Sequence, residues 1–454
     1  MKKRTSHVLA ILLAVCLLFS MLAGCSSKSA KTDTQDTQST AAAETTVGAD
    51  TQSAAASTDN LPKENVTITQ LVWMPDNPDI PLAVADAFMK KYPNVTIDTQ
   101  MQSGSPEESI QPKAAAKQMP DLLSIDPGSY ASSLADEGLL MDLSDTKCCN
   151  NQLESVASQF VSDKGVKYGI SGGLCTCLIY YNKDMFADAG ITEFPSNYQE
   201  LLDACKKLKA KGYTPMVYTG GDANTLSNAN FSYGMSQYLI KGDSKVTDQI
   251  KKNEYTFTGD EALKKVLDRT IELPLQGYCN DGWASTGYDE SCQMFTAGDV
   301  AMIFNGTWLA GSLLSDDVGF DVGCALPPWN DKGEDLVPVV SSETGFACGN
   351  TGSDAQKAYA KALLEFWNGE GYALYQNPRG LVPAFNSDSI SCKIVLDQRI
   401  ADVIAKANSY PSSSPLYFVY LPTAIDQQKI IQELLLGTMT TSEACAAFDA
   451  AKGK

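Results

Sequence analysis

The chain has 454 residues, 44% of them hydrophobic and 20% charged, with a formal net charge of −19. That length is more than one hydrophobic core organises, so two lobes or domains are expected. The acidic balance argues against nucleic acid and against an anionic membrane surface as partners, because both need clustered basic side chains.

Histidine narrows the chemistry further. The only one is His7, inside a segment expected to be cleaved. A mature chain without histidine runs no Ser-His-Asp or Cys-His mechanism and lacks the usual nitrogen ligand for a metal. Carboxylate-pair enzymes and binding proteins remain. No cofactor and no metal is expected.

Residues 1–24 read as an export signal. Lys2, Lys3 and Arg4 precede an apolar run from Val8 to Leu22, too short for a spanning helix, and small residues follow. Leu22-Ala23-Gly24-Cys25 resembles the bacterial lipobox, which would make Cys25 the diacylated amino terminus. Residues 25–60 are Ser, Thr, Ala, Gln and Asp with almost no large apolar side chain, so they read as a disordered tether. A coil of that length reaches roughly 30–35 Å root-mean-square.

The folded part begins near Glu64. Val66–Met74 is a strand, and Trp73–Pro78 is the loop at its carboxyl end. Pro81–Tyr92 reads as a helix with Leu82, Ala85, Phe88 and Met89 on one face, stopped at Pro93-Asn94. Val95–Gln100 is a second strand and Asp121–Asp126 a third, followed by a helix to Gly138. Strand–helix alternation at this spacing indicates parallel βαβ units. Ligands of open α/β sheets bind at the carboxyl ends of strands, which places Trp73, Asp76 and Asp126 at one mouth.

The stretch Lys167–Gly190, KYGISGGLCTCLIYYNKDMFADAG, organises the rest. Gly172-Gly173 separates a short strand from a longer one, Leu174–Tyr181, and is read as the crossing from one lobe to the other. Helices follow behind the apparent capping boxes Ser196-x-x-Gln199 and Thr258-x-x-Glu261. Pro215–Thr219 and Val300–Phe304 are strands, and a turn at Asn305-Gly306 is expected to project Trp308 beyond a strand end. Val322–Pro328 and Val337–Ser342 are further strands, and Glu343-Thr344-Gly345 is read as the return crossing. Ser353-x-x-Gln356 caps a helix carrying Leu363, Phe366 and Trp367, the last expected in the core. Asn377–Ala384 is read as a loop bearing one cation, Arg379, and the remaining carboxyl-terminal stretch as largely helical.

Thirteen cysteines are many for an exported chain. Setting aside Cys16 and Cys25 leaves eleven, an odd number with no CxxC framework. Small buried thiols are expected, while a strand places Cys175 and Cys177 on one face and leaves a metal or redox pair open.

In this order the pieces resemble the family 1 extracellular solute-binding proteins, the receptor lipoproteins of bacterial carbohydrate ABC importers. The resemblance is carried by the lipobox and tether, ADAFMKKYPNVTI, MPDLLSID with LADEGLLMDLSD, the crossing stretch, FTAGDVAMIFNGTW, and NPRGLVPAF. Its departures are the cysteine load and Leu-Cys-Thr-Cys in the crossing. It implies an α/β, bilobed periplasmic-binding-protein-like fold, with residues 61–172 and 344–385 in one discontinuous lobe and 173–343 and 386–454 in the other. It also implies a monomer, anchored to the cell membrane by lipid and facing outward, that passes a carbohydrate to permease subunits. The binding positions it suggests are Trp73, Asp76, Asn77, Asp126, Gly173, Leu174, Trp308, Glu343 and Arg379, with Trp283 and the Tyr417–Tyr420 region as further plates. Aromatic faces suit sugar C–H surfaces, and planar carboxylates, amides and guanidinium suit hydroxyl pairs. Read from the residues alone, Asp126 could instead cap the helix after Pro127, and Arg379 could form an ion pair. A binding protein for a polyamine or peptide, or a secreted glycosidase with a carboxylate pair, remains as an alternative.

Overall fold

The computed structural model describes residues 61–74, 77–102, 106–226, 231–315, 317–379, 381–385, 396–410 and 424–451. The export segment with Cys25, the tether, Asp76 and the Tyr417–Tyr420 region lie outside them.

One sheet has the strand order β2-β1-β3-β10-β4, built from β1 (Val66–Val72), β2 (Val95–Met101), β3 (Leu122–Ile125), β4 (Gly169–Ile170) and β10 (Gly345–Cys348). β1 lies parallel to β2 and β3, with Val66 opposite Val95 and Gln70 opposite Leu122. β10 runs antiparallel to both β3 and β4. The helix Asp79–Lys91 buries Val84, Ala85 and Phe88, an i, i+4 stripe. Leu82, expected inward, is half exposed because it lies two residues off that stripe. The helix Asp354–Trp367 closes the same core; its Ser353 and Gln356 form the expected reciprocal capping box. Trp367 is fully buried, and its indole N–H donates to Gln70 Oε1 at 3.4 Å.

The second sheet is antiparallel, β7-β6-β8, from β6 (Cys177–Asn182), β7 (Met302–Gly306) and β8 (Val322–Ala325). Single parallel bridges extend it: Thr214 to Val300, Val217 to Ile303, and Met216 to Cys279. The two lobes therefore share a plan. Each has a set of parallel strands plus one antiparallel strand delivered from the other lobe, β6 outward and β10 on the return. The helix Gln398–Ser409 buries Ile400, Val403 and Ile404 in the core of this second sheet. Helices Glu261–Leu275, Ala424–Leu435 and Thr441–Ala450 enclose a separate apolar layer around Tyr218, Phe231 and Phe448.

Between the sheets runs a ribbon of β5 (Leu174–Cys175) paired antiparallel with β9 (Ser341–Ser342). The continuous strand expected over Leu174–Tyr181 is thus divided at Thr176, where the chain leaves the ribbon and joins the second sheet. Thr176 marks the change: its amide donates to Thr307 Oγ1 at 3.3 Å and its hydroxyl to Val339 O.

Other local expectations are corrected. The helix after Ser196 is capped by Asn197, which accepts from Glu200 N, and Ser196 bonds the Glu200 carboxylate instead. The next is capped by Asp260, which accepts from Leu263 N, rather than by Thr258. In both places two capping residue types stand close together, and the one nearer the helix wins. Asn377, Pro378 and Arg379 do not lie in a loop; they finish the helix Tyr372–Arg379. Asn305 and Gly306 are the last residues of β7, and Trp308 sits in the single 3-10 turn that follows.

Ten cysteines fall among the described residues, and seven of them are buried. Cys175 and Cys177 are fully enclosed, and burial pushes both thiols up. Among the described residues no group of three or more His, Cys, Asp or Glu is placed to hold a metal. No helix among them is long and apolar enough to cross a membrane.

Candidate functional site

The carboxyl ends of the parallel strands set the site. In the first lobe β1 leads into Trp73 and β3 into Asp126. β10 is antiparallel, so its start lies at the same edge: Gly345 faces Ile125 across the ladder. Glu343 and Thr344 therefore arrive beside Asp126, and the Thr344 hydroxyl donates to Asp126 Oδ1 at 2.7 Å. This partner, rather than the following helix, occupies Asp126; that helix has Gly128 at its cap and no side-chain cap. Burial pushes the Asp126 carboxyl up to about 6, against the Thr344 hydrogen bond, with the negative fields of Glu343 and Glu107 adding to the rise.

Arg379 reaches the same place from the end of its helix. Its Nη2 donates to Glu343 Oε1 at 2.6 Å and its Nη1 to the Tyr375 hydroxyl at 2.8 Å. Both charged side chains are only 7% exposed. A buried pair of this kind gains little net stability, but removing one partner strands the other charge at a cost of about 3–5 kcal/mol. Tyr375 stands one helical turn before Arg379, so its contribution was readable as an i, i+4 neighbour; it was not among the expected residues.

The second lobe presents its own strand ends. After β7 the chain turns at Gly306, and Trp308 lies directly over that glycine: a Cβ there would stand 2.1 Å from the indole ring. Trp308 is partly buried and packs against the cores of both lobes. Trp283, past the neighbouring strand end, stands edge-on to Tyr218 with ring centroids 5.9 Å apart, and its carbonyl accepts from Gly220 N at 2.9 Å. The helix Ala310–Leu313 that follows Trp308 packs against the helix Tyr372–Arg379 of the first lobe. A Cβ on Gly311 would be 2.1 Å from Pro378 O and 3.6 Å from Arg379 Cα.

Gly173 and Leu174 are in the ribbon, where their backbone groups are engaged. Gly173 O accepts from Glu343 N at 2.8 Å, and Leu174 N donates to Val382 O at 2.7 Å. Gly172 is required for close approach, since a Cβ would meet Thr344 O and the Tyr375 hydroxyl at 2.4 Å. Ser171, Ser342 and Gln159 link the ribbon through their side chains. Trp73 is half-buried, its amide donating to Ser124 Oγ at 3.1 Å. Asn77 lies beyond it, on an open groove of about 540 Å³ shared with Ile80, Ala83, Leu374, Asn377 and Pro378. The structure thus gathers Asp126, Glu343 and Arg379 with the Trp308 turn nearby. It places Asn77 on the groove and Trp283 at a separate strand end.

Two lobes with facing strand ends, joined by a ribbon, define a two-lobed receptor class. The model of the bacterial extracellular solute-binding protein family matches residues 75–374, and the chain belongs to that family. Among curated relatives, the sn-glycerol-3-phosphate-binding periplasmic protein of Brucella abortus (strain 2308) is 24% identical over 269 residues, spanning 56% of this chain and 58% of its own. The chain thus covers somewhat more than half the length of that relative. Among solved structures, a chitin oligosaccharide binding protein superposes with a TM-score of 0.72 at 22% identity, covering 85% of this chain and 98% of its own. A solute-binding protein in complex with raffinose gives 0.69 at 21% identity, again with 85% and 98% coverage. These likenesses establish the bilobed solute-binding fold.

Proposed function

We propose that this protein is the substrate-binding lipoprotein of an ABC importer, capturing a sugar or oligosaccharide between two closing lobes and delivering it to the membrane permease. On this reading one lobe comprises residues 61–172 and 344–385 and the other 173–343 and 386–454, the ribbon acts as the hinge, and the chain works as a monomer held at the outer face of the cell membrane through lipid on Cys25. No bond is made or broken in the ligand. The observation that carries the reading is the position of Trp308. It stands at a strand end of one lobe and touches the core of the other, three residues before Gly311, whose Cβ would stand 3.6 Å from the Cα of Arg379, the partner of Glu343 in a pair of planar hydrogen-bonding groups. An indole plate near such groups matches a sugar, which offers C–H faces and paired hydroxyls. Closure requires that the ligand bind the closed form better than the open one.

Intrinsic tryptophan fluorescence titrated with raffinose, chitin oligosaccharides, xylo-oligosaccharides, maltose, spermidine and peptides tests this. A saturable response to one sugar, absent in Trp308→Ala, is expected. A response confined to spermidine or peptide would refute the carbohydrate assignment, and one retained in full by Trp308→Ala would refute the role of that indole.

A further inference from the structure

Ligand charge is decided by what surrounds the one guanidinium at this site. A phosphate or carboxylate ligand calls for cationic or N–H donors directed at it, most effectively an arginine fork. Arg379 is the cation that the described residues bring to the meeting point of the lobes, and each of its terminal nitrogens donates within the protein, one to Glu343 and one to Tyr375. Glu343 is held there by the backbone as well as by charge: it leaves the hinge ribbon with its amide bonded to Gly173 O. Asp126 is alongside, tied through Thr344. Glu343 and Glu107 both act electrostatically on Asp126. Three carboxylates thus share one neighbourhood with one guanidinium, and that guanidinium already has its counter-ion. An entering anion would meet a negative field and would have to displace Glu343 from a 7% exposed pair, leaving a buried carboxylate without its partner.

We propose that the cleft selects uncharged, hydroxyl-bearing ligands and rejects phosphorylated or carboxylated ones, with Glu343 as the specificity-determining residue. This rests on the carbohydrate reading above and narrows it. It also separates this chain from the relative whose name records binding of sn-glycerol 3-phosphate. Uncharged hydroxyls suffer no such penalty. They donate to the free lone pairs of Glu343 and Asp126 while the ion pair stays intact.

Isothermal titration of the purified full-length chain tests this with raffinose, maltose and N,N′-diacetylchitobiose set against sn-glycerol 3-phosphate, glucose 6-phosphate and digalacturonate. The expected result is binding of a neutral sugar with every anion at least 100-fold weaker. A neutral sugar and an anion bound within tenfold of each other would overturn the selectivity while leaving the carbohydrate reading intact. Binding of sn-glycerol 3-phosphate with no neutral sugar would overturn both, and so would an absence of binding by every sugar. The variant Glu343→Gln keeps the shape and releases Arg379 from its counter-ion, and is expected to bring anion affinity up by tenfold or more. Should that variant fold poorly, Asp126→Asn removes a negative charge without freeing the guanidinium and is expected to give a smaller rise, about two- to fivefold by the Coulomb scale near a protein surface. No gain of anion binding in either folded variant refutes the role assigned to the carboxylates.

Discussion

Gly311 gives the sharpest handle on closure. A Cβ at this position would stand 2.1 Å from the carbonyl oxygen of Pro378, 3.2 Å from its carbon and 3.6 Å from Arg379 Cα. All three atoms are backbone, so no side-chain rotation relieves the clash. The helix Ala310–Leu313 and the helix Tyr372–Arg379 would have to separate by roughly 1.3 Å or more to reach an ordinary contact. Overpacking of this order costs about 1–3 kcal/mol. If the two helices part when the lobes open, that cost falls on the closed form alone. Gly311→Ala should then weaken ligand binding about 5- to 150-fold, at 1.4 kcal/mol per tenfold. The unliganded protein should lose nothing, because Ala in a helix is favoured over Gly by up to about 1 kcal/mol. Calorimetric titration with the bound sugar, thermal unfolding of the apo protein, and small-angle scattering of both states measure the three quantities. The variant should show an unchanged apo melting temperature and a larger radius of gyration at a given ligand concentration. Equal affinity, or an apo melting temperature lowered by several degrees, would show that this contact does not distinguish open from closed.

Asp126 makes stability depend on pH. Its folded value is raised from 3.8 to about 6, so the folded protein holds this proton more tightly than the unfolded chain. The stabilisation is present in full below about pH 4 and is lost as pH rises through 6, on the order of 3 kcal/mol at pH 7.5. Asp126→Asn, which keeps an acceptor for the Thr344 hydroxyl, should melt above the wild type at pH 7.5, with the difference closing near pH 4; a pH-independent difference would contradict this. Cys25→Ser should move the protein from the membrane fraction into the culture medium, and retention in the membrane fraction would count against lipid anchoring.

The elements whose pattern repeats within one segment were legible in the sequence. The helix Asp354–Trp367 declared itself by its capping box and its Leu363–Trp367 stripe. Arg379 was read into a loop over Asn377–Ala384, whereas Pro378 and Arg379 occupy the last turn of the helix Tyr372–Arg379. The ion pair itself joins residues 36 positions apart, and the Gly311 contact joins two lobes. No local periodicity carries either, because both depend on how finished elements are brought together. Asp126 shows the same limit. A carboxylate before Pro127 fits a helix cap as well as a cleft, and only the antiparallel return of β10 brings Thr344 to it.

That return strand also explains why recognition and motion would be coupled here. Glu343 follows β9 of the hinge ribbon directly and Thr344 precedes β10 of the first sheet, so two residues separate the ribbon from that sheet. Its amide is fixed to Gly173 on the other crossing, its carboxylate to Arg379, and the next residue to Asp126. A ligand hydroxyl bonded to Glu343 therefore acts on a side chain whose backbone turns with the hinge. On the proposed reading, the hydrogen bonds that recognise the guest and the torsions that bring the lobes together would belong to the same three residues, Ser342 to Thr344. On the proposed reading, a ligand that fails to engage Glu343 forfeits this leverage whatever stacking it gains on Trp308.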